Sequence, residues 1–162
     1  MKKVLLMSLL CLWGVGMQGA DTSILDFGAH QNSVDNTKAI QAAIDSCALT
    51  GGGTVHIPSG TYLTSTIFLK SNVHLYLHGG SILKGVTDPK AYQGKAVVVG
   101  ENIRNASVRG EGCIDGQGNH QNFQFGDDKG RRPHVILFER CQNVQVKDVF
   151  LYNSASWTLR CS

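Results

Sequence analysis

The side chains that could do chemistry are few and scattered. Asp127 and Asp128 are adjacent carboxylates, and a general acid with a general base is the least that glycosidic, ester or phosphoryl chemistry asks of carboxyl groups. They lie, however, in a polar stretch flanked by Gly126 and Gly130, where neighbours on a loop read as solvated surface and not as a matched pair. Lys129, Arg131 and Arg132 beside them could grip an anion through bidentate hydrogen bonds, although a charge cluster of this kind is usually a wet face. Asp115, within Ile114-Asp115-Gly116-Gln117-Gly118, reads as a turn residue, because Asp bonds its own main chain and tolerates a tight backbone. His74 and His78 suggest metal binding, but four residues of strand cover about 13 Å, too far for one ion to bridge. With His30, His56, His120 and His134 spread along the chain, a surface role is the better reading for them, and no metal site is expected. Trp157 could stack on a sugar ring, yet Trp157-Thr158-Leu159 reads as a strand with its indole buried. Gly110-x-Gly112 and Gly116-x-Gly118 have no helix after them and read as turns, not phosphate loops.

Composition narrows the classes. Met1-Lys2-Lys3, an apolar run from Val4 to Val15 and small residues up to Ala20 have the layout of a signal peptide over residues 1–20, so an exported product, periplasmic or extracellular, is expected. The run is shorter than the roughly 20 residues a membrane span needs, so no stable membrane insertion is expected. Without Lys2 and Lys3 the chain holds 13 Lys and Arg against 12 Asp and Glu, which gives no reason to expect nucleic acid as a partner. Residues 21–162 suffice for one domain and are short for a polysaccharide-cleaving enzyme. Cys47, Cys113, Cys141 and Cys161 fit no zinc spacing. Export permits them to pair, buried free thiols fit equally well, and the pairing stays open.

The elements that must position these groups come in two kinds. Ala39, Ile40, Ala43, Ile44 and Cys47 recur at three-and-four spacing, one face of a helix between Asp35 and Ala48, with Asp35 or Asn36 to cap it and Gly51-Gly52-Gly53 to end it. After it the period becomes two. Val55 and Ile57, then Leu63, Ile67 and Leu69, then Val73, Leu75 and Leu77 face one way, and short strands continue through Val97–Val99, Val108, Ile114, Val135–Phe138 and Val144–Val149. Apart from Asp115-Gly116, no tight hairpin signal joins them. Asn72-Val73-His74-Leu75, Asn105-Ala106-Ser107-Val108 and Asn143-Val144-Gln145-Val146 each set an Asn ahead of a strand, 33 and 38 residues apart. A repeat of that size, unable to bury its own apolar face, implies stacked turns. An open end of the stack needs a cap; the helix supplies one, and nothing in the sequence supplies the other.

These segments carry a resemblance. Asp26-Phe27-Gly28-Ala29, the helix, and Gly51-Gly52-Gly53-Thr54-Val55-His56-Ile57-Pro58-Ser59-Gly60-Thr61-Tyr62 resemble the opening of pectin-lyase-like β-helices. Ser71–Leu77, Gly110–Gly118, and Arg132–Phe138 leading to Asn153–Leu159 are similar, in order and spacing, to the polygalacturonases of glycoside hydrolase family 28. The resemblance implies an all-β, right-handed single-stranded parallel β-helix with an N-terminal capping α-helix over residues 21–162. It also implies inverting hydrolysis of α-galacturonosyl linkages in pectic polysaccharide without a metal or other cofactor, by a protein that is a monomer when full length. Inversion needs two carboxyl groups about 6.5–9.5 Å apart. In the family these sit in Asn-Thr-Asp and Asp-Asp motifs, with a Gly-His-Gly and an Arg-Ile-Lys, on turns after the Trp-Thr-Leu segment. None has a counterpart up to Ser162, so no catalytic residue is carried over, Asp127-Asp128 included because of its position, and the substrate-binding residues stay unknown. The chain is expected to be the truncated front of such an enzyme and inactive alone. A pectate-lyase or epimerase-like enzyme on the same scaffold, or a non-catalytic glycan-binding or structural β-helix, are the alternatives. Homogalacturonan against rhamnogalacturonan, and endo against exo cleavage, stay open.

Overall fold

The computed structural model describes residues 19–119, 121, 123 and 132–162. Residues 1–18, most of the expected signal peptide, and His120, Asp127, Asp128, Lys129 and Arg131 lie outside the described residues. In chain order come β1 (Thr22–Ser23), α1 (Thr37–Leu49), β2 (Gly53–Ile57), β3 (Gly60–Thr64), β4 (Ile67–Phe68), β5 (Val73–Leu77), β6 (Ser81–Gly85), β7 (Ala96–Glu101), β8 (Arg104–Gly110), β9 (Cys113–Asp115), β10 (His134–Glu139), β11 (Gln142–Lys147), β12 (Phe150–Tyr152) and β13 (Leu159–Cys161). The first sheet runs β1-β2-β5-β8-β11, the second β3-β6-β9-β12 and the third β4-β7-β10-β13. Every pairing is parallel. Each set of three strands is therefore one turn of a coil, and each turn adds one strand to every sheet. This is the parallel β-helix implied by the 33- and 38-residue repeat, and Asp115-Gly116 makes no hairpin.

The register shows why the repeat folds this way. Val55, Leu75, Val108 and Val146 fall on one inward ladder of the first sheet. Tyr62, Leu83, Ile114 and Leu151 form one in the second, and Ile67, Val98, Ile136 and Leu159 one in the third. Each fully buried Leu or Ile contributes about 1.5–3 kcal/mol, so the fill of the central column dominates stability. In β3 the inward residues are Tyr62 and Thr64, and Leu63 is only half-buried, one position out of phase with the expectation from alternation. The register with β6 sets Tyr62 opposite the fully buried Leu83 and Leu63 opposite Lys84, so pairing overrides the local hydrophobic choice.

The asparagines ahead of the strands are a ladder of their own. Asn72, Asn105 and Asn143 all have φ between 51° and 63°, the left-handed region Asn accepts more readily than most residues. Asn105 Nδ2 donates to Asn72 Oδ1 at 3.3 Å, and Asn143 Nδ2 donates to Asn105 Oδ1 at 2.9 Å. The repeated Asn thus turns the chain and ties one turn to the next.

Helix α1 covers the first turn with Ile40, Ala43, Ile44 and Cys47 buried. Of the two candidate caps, Asp35 does the work, its Oδ1 accepting from the Thr37 N–H at 2.8 Å, while Asn36 Oδ1 turns back to the N–H of His30 at 2.9 Å. Among the described residues, Cys47, Cys113, Cys141 and Cys161 are all free thiols. No helix among the described residues is long and apolar enough to cross a membrane.

Candidate functional site

The third sheet carries the densest set of usable groups. At the start of β10, His134 is 7% exposed, and its Nδ1 accepts the Trp157 N–H at 3.1 Å. Burial pushes its pKa down, and the charges of Arg160 and Lys95 push the same way against a smaller upward pull from Glu139. The imidazole is therefore a neutral acceptor in a positive setting. One strand further on, Trp157, Leu159, Arg160 and Cys161 line an open hollow of about 450 Å³. Trp157 is 63% exposed, so the expectation of a buried strand residue is corrected. The indole precedes β13, and β13 has one neighbour, β10, so no strand covers it from the other side. An exposed Trp beside Arg160 can stack on an apolar sugar face while the guanidinium takes a carboxylate.

The buried carboxylate is elsewhere and already engaged. Asp115 is the one buried carboxylate among the described residues, at 6% exposure. Its Oδ1 accepts the Gln117 N–H at 2.9 Å and Asn153 Nδ2 at 3.1 Å, and its Oδ2 accepts the Tyr152 hydroxyl at 3.3 Å. The Gln117 bond makes it the turn residue its sequence context suggests, and three donors hold it in place. Glu101 and Glu139 face each other across β7 and β10, and Arg140 binds Glu101. Sequence reading passed over these two; the clue was their equivalent place in successive repeats, Gly100-Glu101-Asn102 and Phe138-Glu139-Arg140.

The other candidates separate. His74 Nδ1 bonds Ser107 Oγ at 2.8 Å, whereas His78 Nε2 bonds His56 Nδ1 at 2.9 Å, so each histidine is satisfied by an adjacent turn. Among the described residues no three His, Cys, Asp or Glu converge to hold a metal ion. Glycine is required at Gly110 and Gly118 by stacking: a Cβ would lie 2.1 Å from Leu77 O in the first case and 2.1 Å from Ala155 N in the second. Arg132 is half-buried where the chain enters β10, near His134 in sequence. The structure thus brings together His134, Trp157 and Arg160, which lie up to 26 residues apart, a meeting that depends on register and is invisible in linear spacing.

The profile of the rhamnogalacturonase A/epimerase, pectate lyase-like family matches residues 22–159, from the first strand to the last. The chain belongs to this family. It is 28% identical over 170 aligned positions to the "Probable polygalacturonase" of Vitis vinifera, covering 90% of this chain and 35% of that protein. A Parabacteroides merdae protein of solved structure superposes with a TM-score of 0.80 at 27% identity, over 88% of this chain and 68% of the other. The family 28 exopolygalacturonase of Yersinia enterocolitica superposes with a TM-score of 0.71 at 22% identity, over 85% of this chain and 35% of the other, a likeness of fold. The polygalacturonase-like β-helix implied by the motifs is thereby established, and the chain spans about a third of the length of the Vitis relative.

Proposed function

We propose that this chain is the opening part of an exported β-helix enzyme that hydrolyses α-galacturonosyl linkages of pectic polysaccharide with inversion, and that it supplies scaffold and substrate contacts while the acid and base lie on further turns. The observation that carries this is the site chemistry within a family of pectin-degrading enzymes. The third sheet offers Arg160, Lys95 and an exposed Trp157 to an anionic sugar, yet the buried carboxylate, Asp115, already takes three donors. An inverting pair must be free to give and take a proton across about 6.5–9.5 Å. Further turns stacked on β11, β12 and β13 would cover the exposed Leu159 and the half-buried Val144, Val146 and Leu151, and could bring such a pair beside Arg160. The charged groups of this chain would then orient the uronate, and neutral His134 would hold the Trp157 backbone in place.

Purified chain incubated with polygalacturonate should yield no new reducing ends, whereas the product of the whole reading frame should release them without ultraviolet absorbance. Reducing-end release by the chain alone would place the acid and base within it. Unsaturated, absorbing products would mean β-elimination, the lyase alternative. Binding without any product from the whole reading frame would favour a non-catalytic glycan-binding β-helix.

A further inference from the structure

The first sheet has an outer face that the pectin reading does not use. Its residues stack by register into rows along the coil axis. His56, Tyr76, Arg109 and Lys147 form one row, and Thr54, His74, Ser107 and Gln145 form the next. The asparagine ladder borders the second row on its strand-entry side. We propose that this face, centred on Arg109, is a docking site for a linear anionic polysaccharide, separate from the hollow at Trp157 and Arg160.

Arg109 is exposed and sits over the Tyr76 ring, its Cζ 5.9 Å from the centroid, which holds the guanidinium in one place. It pairs with no carboxylate among the described residues. Lys147 stands directly opposite on the next strand. Like charges facing each other across a parallel pair are unfavourable; Asp148 offsets Lys147, and an anion at Arg109 would offset the remaining charge. Tyr76, Arg109, Gly110, Glu111, Lys147 and Asp148 line a depression of about 260 Å³ here. Asp148 lies 3.8 Å from the Lys147 ammonium, and with Glu111 it offers acceptors for sugar hydroxyls.

The shape of the face selects a polymer. Strands repeat about every 4.8 Å, so a chain lying across them meets one new side chain per turn from each row. A small anion would use one cation and leave the rows idle. His74, its pKa lowered by burial and then by Arg109, stays neutral and can share hydrogen bonds with hydroxyls. The choice of a carboxylated polymer rests on the pectin reading; the cationic row does not.

The test is a ¹H–¹⁵N titration of the full chain with oligogalacturonates, with dextran oligomers as the neutral probe. Oligogalacturonate should shift the signals of Tyr76, Arg109 and Lys147. Arg109→Gln, at an exposed site that leaves the core untouched, should weaken that binding about tenfold, the scale of one charge-assisted hydrogen bond. Lys147→Gln should weaken it about threefold, less because Asp148 already shares that charge. Shifts confined to the surroundings of Trp157 and Arg160, equal shifts with dextran, or full-strength binding by both variants would overturn the proposal. The readout needs no turnover, so failure of the whole enzyme to hydrolyse pectate would sink the functional reading and leave this one standing.

Discussion

The two ends of the stack are built from the same apolar alphabet and reach opposite states. At the start, Ile40, Ile44 and Cys47 of α1 close over Val55 and Ile57, and all five are essentially solvent-free. At the last turn Val144, Val146 and Leu151 continue the inward ladders but are half-buried, while Leu159 is 42% exposed. Nothing in the local sequence of the last turn marks it as different. A strand in this fold is buried by its two neighbours along the axis, so burial depends on position in the stack and not on composition.

The sharpest way to test that contrast is to truncate matched side chains at each end. Ile44→Ala should cost about 3 kcal/mol, a cavity under a closed cap, and Leu159→Ala should cost under about 1 kcal/mol, both read from urea midpoints. Equal costs would mean that the last turn is covered by something other than strands of this chain. On a smaller scale, Asn105→Ala should cost about 2 kcal/mol. It removes hydrogen bonds to both neighbouring turns and leaves a β-carbon at φ 54° without the amide that compensates for it. Asn143→Ala, bonded on one side, should cost about 1 kcal/mol. If the two asparagines prove equivalent, the ladder is not the tie between turns.

Titration sharpens the comparison further. Burial lowers the pKa of both His74 and His134 below the ordinary histidine value of about 6.5. The unfolded chain therefore takes up protons first as pH falls. Stability contributed by the neutral rings is present above about pH 6.5 and is lost as pH drops below it. Thermal midpoints should decline from pH 7.5 towards pH 5, and His134→Gln should flatten part of that slope. A midpoint that rises on acidification would contradict the burial of these rings. The smallest effect belongs to Trp157→Ala, which should change the unfolding free energy read from urea melts by less than about 0.5 kcal/mol, because the indole is already in water.

Much of this architecture was legible in the sequence, for physical reasons that can be named. A helix with Ile40, Ile44 and Cys47 on one face, and an Asn recurring ahead of Val73, Ala106 and Val144, each report a local rule: helical periodicity, and a left-handed residue at a repeated corner. What stayed hidden depends on which strand lies next to which. Tyr62 displaced Leu63 from the core because β6 set the phase of β3. Trp157 is exposed because no strand follows β13 in the third sheet. The grouping of His134, Trp157 and Arg160, the opposed pair Glu101 and Glu139, and the row through Tyr76, Arg109 and Lys147 all need the register between turns, which no single-strand pattern encodes.

The most direct measurement of the functional account is the anomeric form of the first product when the whole reading frame containing these residues acts on polygalacturonate, followed by NMR within the first minutes. The account predicts reducing ends of configuration opposite to the α-linkage cleaved, with no absorbance from an unsaturated sugar. Product of retained configuration, or an unsaturated one, would contradict it.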